Sequence, residues 1–483
     1  TTQNAFTVTI DPAFEGVYQA WDGVTKTEVV PVKKTIDGVE KDVYEVTQPS
    51  HLAWMAEQIN NNSLPNDTYM ELHQDLDLGD HAWTPISNKS RILPTGFSGT
   101  FDGQGHVIKG LNATADKDNF GVGLFGNLNN GTVKNVVIES GKLTAVDHAG
   151  AIAGIMFGSS TIENCTNKGV TVNAASASGG IVGRAYGTKN VVKNCNNYGT
   201  INGASKNGGI IGIVSKTNST TEVNGCNNYG EVKGGNAGNG GMIGYIGSPT
   251  TVTGCTNTGA IGQTGNRYSG GIVGYSQAKE ENAVTISKSS NSGTIVGNDA
   301  AGGIFGGGGN SNDFTNITEC DNNGEVIGVI RAGGISGTTG FGTISNCSNS
   351  AKVTATGAKG VAGGVVGHLF QGTVSDCHGG TAEITGTYPG RQLGSVSNGP
   401  SQMAYLALPE SGDGYEGDTR SIGIMTPATA ISHLTVTKGE LIGLPLFGYQ
   451  GQTITIQEGA SWNAFPGETG VWQAQVSSWV KKS

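Results

Sequence analysis

Short apolar segments separated by glycine, asparagine and serine fill most of the chain. The most regular of them, called here the glycine cassette, is an apolar segment flanked by glycine or alanine. It occurs nine times, and successive copies start within 27 to 32 residues of one another. Self-similarity at this period indicates a repeat architecture. The copies are GVGLFG (121–126), AGAIAG (149–154), GGIVG (179–183), GGIIG (208–212), GGMIG (240–244), GGIVG (270–274), GGIFG (302–306), GGISG (333–337) and GGVVG (363–367).

Cysteine recurs in phase with the glycine cassette, and a valine or isoleucine stands three residues before each cysteine position. Val136 and Ser289 take that position in the two repeats without cysteine. Both columns are predicted to face the core, since buried cysteine behaves as a small apolar residue. The cysteines are Cys165, Cys195, Cys226, Cys255, Cys320, Cys347 and Cys377.

Asparagine follows most cysteine positions by two residues, and glycine follows most of them by four. Asparagine tolerates the left-handed backbone conformation, and stacked amides can donate to one copy and accept from the other. We therefore predict a structural asparagine column at a turn, with the glycines supplying positive φ or close backbone approach. The asparagines are Asn167, Asn197, Asn228, Asn257, Asn291, Asn322 and Asn349.

Each repeat thus contains three short apolar runs rich in valine and isoleucine, which predict strands rather than helices. Three strands and three turns in about 30 residues form one coil of a parallel β-helix. The fold predicted is all-β, a parallel β-helix of about nine to ten coils. Nine coils at the usual strand spacing would extend roughly 43 Å.

The cysteines allow two chemical alternatives, disulfides or metal binding. Seven is an odd number, and stacked copies would lie about 4.8 Å apart, which is longer than the Cβ separation that a disulfide prefers. The chain contains no CxxC pair of the kind that zinc sites use. An inward-facing column of thiols is the preferred interpretation, and no metal or cofactor is predicted.

Four segments are predicted. Residues 1–46 alternate like a small β module, and residues 47–112 form a capping region with a short helix at 50–62 and Ser50 as its N-cap. Residues 113–385 contain the β-helix. Residues 386–483 are predicted to form an irregular loop followed by a β region.

The amino-acid composition argues against some classes of binding partner. Lys and Arg number 28 against 38 Asp and Glu, a formal charge of -10, so a nucleic-acid partner is not expected. No apolar run reaches the ~20 residues of a membrane helix. A monomer without a transmembrane segment is the expectation.

The sequence of residues 51–112, with DLDLGD and FSGTFDGQGHVIKGLN, followed by Gly123-Leu124-Phe125-Gly126, resembles bacterial surface proteins with GLUG-motif repeats. The resemblance extends over roughly residues 47 to 385. It implies an all-β fold, a right-handed parallel β-helix of the pectate-lyase-like type. It also implies a protein of the adhesin type that is exported to the cell surface or secreted, with no catalytic signature of its own.

An enzyme on this scaffold would need clustered carboxylates with a basic residue on one outer face. Such a polysaccharide lyase or glycoside hydrolase is the alternative function. The chain has no HExxH, GxSxG or P-loop pattern. The polar residues considered for catalysis, for which a solvated surface is the preferred interpretation, are Asp147, His148, Glu319, Asp321, Glu325 and Arg331.

The preferred function is a non-enzymatic surface module that binds glycans or proteins. Aromatic and basic residues follow the glycine cassette in four repeats, and two tyrosines share one column in adjacent repeats, where their rings could stack. Stacked tyrosines that only stabilise neighbouring strands are the other interpretation. The candidate binding residues are Arg184, Tyr245, Tyr275, His368, Tyr198 and Tyr229.

Overall fold

The computed structural model describes residues 20–88, 95–115, 121–215, 220–280, 283–308, 313–370, 372–379, 383–390 and 392–396, and the backbone of several strands between 403 and 476. In the repeats the chain winds through five sheets in every coil, and each strand pairs in parallel with its counterparts in neighbouring coils. Val32–Ile36, at the edge of the first sheet, pairs antiparallel with Val39–Val46. The sheets are named sheet 1 to sheet 5 in the order in which one coil passes through them. The prediction of an all-β parallel solenoid is confirmed, and a right-handed sense is consistent with it.

Sheet 1 consists of Val32–Ile36, Val39–Val46, Tyr69–Leu72, Thr100–Asp102, Thr132–Lys134, Thr161–Glu163, Lys189–Lys193, Thr220–Asn224, Thr250–Thr253, Val284–Ser287, Thr315–Thr318, Thr343–Ser345 and Thr373–Ser375. Sheet 2 consists of Leu76–Asp77, Val107–Lys109, Val137–Ile138, Thr166–Asn167, Asn196–Asn197, Asn227–Asn228, Thr256–Asn257, Ser290–Asn291, Asp321–Asn322 and Ser348–Asn349. Sheet 3 consists of Leu111–Ala115, Gly141–Ala145, Val170–Ala174, Ile201–Gly203, Val232–Gly234, Ile261–Gly262, Ile295–Gly297, Val326–Gly328, Val353–Ala355 and Ile384–Thr385.

Sheet 4 consists of Gly121–Val122, His148–Gly150, Ala177–Gly179, Lys206–Gly208, Gly238–Gly240, Tyr268–Gly270, Ala300–Gly302, Arg331–Gly333, Val361–Gly363 and Tyr388–Gly390. Sheet 5 consists of Phe125–Asn129, Ala153–Phe157, Val182–Ala185, Ile211–Val214, Ile243–Ile246, Val273–Ser276, Phe305–Gly308, Ser336–Thr339, Val366–Leu369, Leu393–Val396 and Ile422–Met425. Outside the solenoid sheets, Met403–Ala407, His433–Thr437, Ala460–Trp462 and Ala474–Val476 form a four-stranded sheet, and Pro445–Phe447 pairs with Thr453–Thr455.

The structure differs from the prediction in two counts. Each coil has five strand segments instead of three, because the chain bends at the residue before each cysteine position and again inside the glycine cassette. The coils number about eleven instead of nine to ten, since sheet 5 alone contains eleven strands. The additional coils lack the complete repeat sequence. Their strands join the stack through hydrogen bonds in register with the neighbouring coils, not through the same residue types.

The first bend requires a left-handed residue, and its position was predicted incorrectly. Asn164 and Asn194 have φ of 52° and 53°, and Gly225 takes the same position in the next coil with φ of 60°. The predicted column, represented by Asn167, lies three residues later and belongs to the extended strands of sheet 2. Glycine four residues after the cysteine instead allows close approach, because a Cβ on Gly230 would lie 2.0 Å from the carbonyl oxygen of Gly199.

Inward-facing valine and isoleucine columns form one continuous apolar core. Val133, Ile162 and Val192 occupy adjacent strands of sheet 1 in direct register, and all three are completely buried. The coils therefore stack through identical contacts, which is the arrangement expected when each repeat cannot bury its apolar face alone.

The helix spans Pro49–Asn60 and covers the first coil with the apolar face formed by Leu52, Met55 and Ile59. The predicted N-cap, Ser50, is wrong: the helix begins after Gln48, and Pro49 occupies its first turn. The Ser50 hydroxyl instead contacts the Thr27 hydroxyl at 2.9 Å. Among the described helical residues, no segment is long and apolar enough to cross a membrane.

Both flanks extend the solenoid. Val39–Val46 pairs in parallel with Tyr69–Leu72, so the chain before residue 47 adds strands to sheet 1. At the other end, strands at 388–390 and 393–396 complete a coil beyond residue 385, and Ile422–Met425 adds one more strand to sheet 5. The division of the chain into four segments stays a prediction.

Candidate functional site

The asparagine column is a hydrogen-bonded ladder inside the solenoid. Asn167 Nδ2 donates to Asn197 Oδ1 at 2.8 Å, and Asn197 Nδ2 donates to Asn228 Oδ1 at 2.8 Å. The same bond links Asn228, Asn257, Asn291, Asn322 and Asn349 in turn at 2.7 Å. All seven side chains are buried, so these amides hold neighbouring coils together and do not reach a ligand.

The seven cysteines are all buried thiols. The Cys195 Sγ donates to the carbonyl oxygen of Lys193 at 3.3 Å and lies 3.8 Å from that of Ile162 in the preceding coil. Burial raises the pKa of Cys195 well above its usual range, so the nucleophilic thiolate is disfavoured. This environment gives the thiols a packing role.

Sheets 4 and 5 meet in a sharp bend at the glycine cassette, and side chains on their outer faces contact one another across the inner angle of that bend, which is called here the cleft. Glycine is required at this bend, because a Cβ on Gly179 would lie 1.9 Å from the carbonyl oxygen of Val182. The last cassette glycine has a similar constraint: a Cβ on Gly244 would lie 2.6 Å from the Asn207 nitrogen in sheet 4. The cassettes therefore form the cleft in every repeat.

Four of the predicted binding residues share one row on the sheet 5 wall. Strand register places Arg184, Tyr245, Tyr275 and His368 at equivalent positions of their coils, with Ile213, Gly307 and Thr338 at the positions between them. All four predicted residues are half-buried. The structure thus brings together residues that lie up to 184 positions apart in sequence.

The sheet 4 wall adds residues that the sequence did not single out for binding. The Tyr268 and Tyr275 rings stack with their centroids 4.6 Å apart and an interplanar angle of 25°. Tyr275 also contacts Tyr245 in a tilted arrangement at 5.6 Å. Lys206 Nζ lies 5.1 Å from the centroid of the Tyr245 ring. Tyr268 is buried beneath the others, and the half-buried Tyr245, Tyr275 and Lys206 form an aromatic and basic surface over three neighbouring coils.

Hydrogen bonds fix the orientation of two of the rings. The Tyr245 hydroxyl donates to Gln277 Oε1 at 2.7 Å, and Gln277 Nε2 donates to the Tyr275 hydroxyl at 2.9 Å. Burial raises the pKa of both tyrosines, which keeps the hydroxyls protonated at neutral pH. The ring positions are therefore set before any ligand binds.

Basic side chains extend the cleft in both directions. Arg184 Nη1 lies 3.5 Å from His148 Nε2, and its Nε donates to the Ser215 hydroxyl at 3.1 Å. Further along, burial and the positive charge of Arg331 lower the pKa of His368 to about 3, so this imidazole is neutral at physiological pH. Its Nδ1 lies 2.6 Å from the Ser395 hydroxyl.

The remaining predicted pair, Tyr198 and Tyr229, lies elsewhere, in the turn that follows sheet 2. Their rings stack at 4.4 Å with an interplanar angle of 8°, and 50% and 42% of the two residues are exposed. They form a separate aromatic ridge rather than part of the cleft.

The residues considered for catalysis do not converge. Glu319 lies 3.9 Å from Lys288, and Asp321 accepts a hydrogen bond from the Ser348 hydroxyl. Glu325 is exposed on another part of the coil, and Arg331 lies in the cleft. These described residues therefore do not form an acid and base pair at one place on the surface.

A different carboxylate group lies on the outer face of sheet 1, which the sequence analysis missed. Glu45, Glu71 and Asp102 occupy consecutive strands in direct register. Lys34 Nζ contacts Glu45 at 2.7 Å and Glu71 at 2.6 Å, and Lys134 Nζ lies 3.2 Å from Asp102. Glu45, Glu71 and His73 could offer three metal ligands, but the Lys34 ammonium group already contacts both carboxylates. No alternation pattern marks this column in the sequence, because its members come from strands outside the repeat.

Comparisons with known proteins add little to this description. No protein-family profile matches the chain, and no curated protein matches it. Among solved structures, a putative immunoglobulin A1 protease from Bacteroides ovatus shares 20% identity over 52% of this chain and 75% of that protein, with a TM-score of 0.41. This likeness is too weak to assign a function. The chain is a parallel β-solenoid whose membership of the GLUG-repeat proteins stays a prediction.

Proposed function

We propose that this chain is a non-enzymatic glycan-binding solenoid of the adhesin type, secreted or displayed at a cell surface. The observation that carries the proposal is the group of Tyr245, Tyr268 and Tyr275 in the cleft between sheets 4 and 5. Ligand sites are concave surfaces with aromatic walls and a few oriented polar groups, and this cleft has each of those features.

Sugar rings suit such a surface. A tyrosine offers an apolar ring face for the C–H groups of a pyranose and a hydroxyl that can bond a sugar hydroxyl. The bonds between Gln277 and the two tyrosine hydroxyls hold the rings in place, so little side-chain entropy is lost on binding. A cleft that continues through several coils also allows one long chain to make many weak contacts.

A glycan array with the purified chain tests this function. Binding to a defined set of glycans is expected, and Tyr275→Ala should weaken it by roughly tenfold, the effect of losing one stacking contact with part of its apolar burial. Tyr229→Ala removes a ring from the separate aromatic ridge and should leave binding unchanged. Loss of binding in Tyr229→Ala alone would move the site to the ridge, and binding to proteins but not glycans would contradict the proposal.

A polysaccharide lyase or glycoside hydrolase is the second candidate, and the carboxylate column of sheet 1 favours it. Glu71 and Asp102 are almost fully buried, and basic residues lie beside them, as catalysis on a β-helix surface would require. The lysine contacts instead suit a structural ion-pair network. Release of reducing or unsaturated ends from any polysaccharide by the wild-type chain, abolished in Glu71→Gln, would establish the enzyme and overturn the first proposal.

A further inference from the structure

Large and small side chains alternate along the cleft wall formed by sheet 4. The first residue of each strand is large and polar or aromatic in every second coil: His148, Lys206, Tyr268 and Arg331. The coils between them have Ala177, Gly238, Ala300 and Val361 at that position. Strand register stacks these residues in one column. Because coils lie about 4.8 Å apart, the large side chains repeat about every 10 Å.

Positive charge in this column recurs at twice that spacing, because Tyr268 lies between the two cations. Lys206 and Arg331 lie four coils apart, about 19 Å along the solenoid. Midway between them the guanidinium of Arg267 lies 5.3 Å over the Tyr268 ring while its Nε contacts Asp299 at 2.9 Å. The chain as a whole has a formal charge of -10, so a basic wall is opposite in charge to the protein overall.

Two of these cations are not neutralised. Within the part of the chain that the structure describes, neither Lys206 nor Arg331 has a carboxylate oxygen within 4.0 Å. Burial and the nearby charge of Arg184 lower the pKa of Lys206, so its ammonium group is held where positive charge is unfavourable. An anion bound beside Lys206 would offset both effects.

We propose that the cleft binds a linear anionic polysaccharide whose negative charge recurs on every second sugar, with Lys206 and Arg331 contacting two of the anionic groups. This inference rests on the proposed glycan binding and names the class of glycan. One coil of about 4.8 Å corresponds to about one sugar, so two cations four coils apart match anionic groups that lie two disaccharides apart. Tyr245 and Tyr275, which lie between the cations and are half-buried, would stack on the intervening sugar rings.

Three hexasaccharide probes test the charge and its period: hyaluronan with a carboxylate on every second sugar, chondroitin sulfate with an added sulfate, and neutral chitohexaose. Calorimetry at low and high salt is expected to show tighter binding of the two anionic probes, weakened by salt because the contacts are charged. Equal affinity for chitohexaose would overturn the inference but leave glycan binding intact. Absence of binding to any probe, combined with an empty glycan array, would overturn both.

Single substitutions test whether Lys206 and Arg331 contact the anionic groups. Lys206→Gln and Arg331→Gln are each expected to reduce affinity for the hyaluronan hexasaccharide roughly tenfold, as for one charge-assisted hydrogen bond. Lys142→Gln, on the outer face of sheet 3, is the matched control and should have no effect. A hyaluronan disaccharide cannot span the 19 Å between the cations, so the affinity difference between hexasaccharide and disaccharide should shrink in either variant.

The same experiment distinguishes whether carboxylate or sulfate groups of the glycan contact the two cations. Binding of both anionic probes with equal affinity assigns the contacts to the carboxylates, and a preference for chondroitin sulfate assigns them to sulfate. Unchanged affinity of Lys206→Gln and Arg331→Gln, with both variants folded by circular dichroism, would contradict the proposal.

Discussion

Asn197 Nδ2 donates to Asn228 Oδ1 in the next coil at 2.8 Å, and it also donates to the carbonyl oxygen of Gly199 in its own coil at 3.1 Å. One side chain therefore ties the turn of its own coil to the coil that follows. Because seven such residues are joined in series, removal of one amide leaves buried polar groups unsatisfied on both neighbours.

Asn228→Ala is expected to destabilise the solenoid by about 2–4 kcal/mol, since it removes the partner of Asn197 Nδ2 and of Asn257 Oδ1 while both remain buried. Asn227→Ala is the control: its side chain makes one bond, to Asn196 at 2.9 Å, and lies on the outer face. Urea unfolding of the three proteins should show a lower midpoint for Asn228→Ala alone. Similar midpoints for the two variants would contradict a stabilising role for the ladder.

The left-handed bend before each cysteine predicts opposite outcomes for two substitutions of one glycine. Gly254 has φ of 62°, and no atom lies within 4 Å of where its Cβ would be. Gly254→Asn should be neutral or stabilise by up to about 0.5 kcal/mol, because asparagine tolerates this conformation and restricts the unfolded chain. Gly254→Val should destabilise by about 1–2 kcal/mol, because a β-branched residue is strained there. Thermal unfolding measures both, and equal effects would refute the explanation.

Buried Asp313 should make stability fall as pH rises. Burial raises the pKa of its carboxyl from 3.8 to about 7. The folded state binds the proton more tightly than the unfolded state, so stability is highest below pH 3.8 and is lost up to pH 7, by about 4 kcal/mol. Asp313→Asn removes this titrating carboxyl. The stability of the variant relative to the wild type should therefore increase as the pH rises from 4 to 7. A constant difference between the two proteins over that range would exclude this titration.

The seven thiols should not react with thiol reagents in the folded protein. Burial disfavours the thiolate at Cys195, whereas hydrogen bonds from Cys320 and Cys377 lower the pKa of Cys347. All seven cysteines are at most 1% exposed, so a reagent cannot reach any of them in the folded protein. A thiol reagent such as dithionitrobenzoate should react with none of them in native buffer and with seven equivalents in 6 M guanidinium. Rapid labelling of one or more cysteines without denaturant would indicate a reactive site in the column.

The candidate cleft was predictable in part. The regular position after the glycine cassette identified Arg184, Tyr245, Tyr275 and His368, because parallel coils stack equivalent residues in one row. Lys206 and Tyr268 were not identified from the sequence, since they precede the cassette and neither residue type recurs in the adjacent repeats of their column. The Glu45–Glu71–Asp102 column was also missed, because only hydrogen-bond register brings those strands together.

The sequence by itself determined the parallel β-solenoid, its period and its core, because a 30-residue repeat can stack in few ways and every copy carries the same apolar positions. Only the tertiary structure decided the rest: five strand segments per coil, a left-handed bend three residues before the expected asparagine, and a cleft between sheets 4 and 5. The physical reason is that strand pairing and backbone approach act between coils. Gly244 and Lys206 acquire their roles from Asn207 and Tyr245, which lie 37 and 39 residues away, and a single repeat does not contain those neighbours.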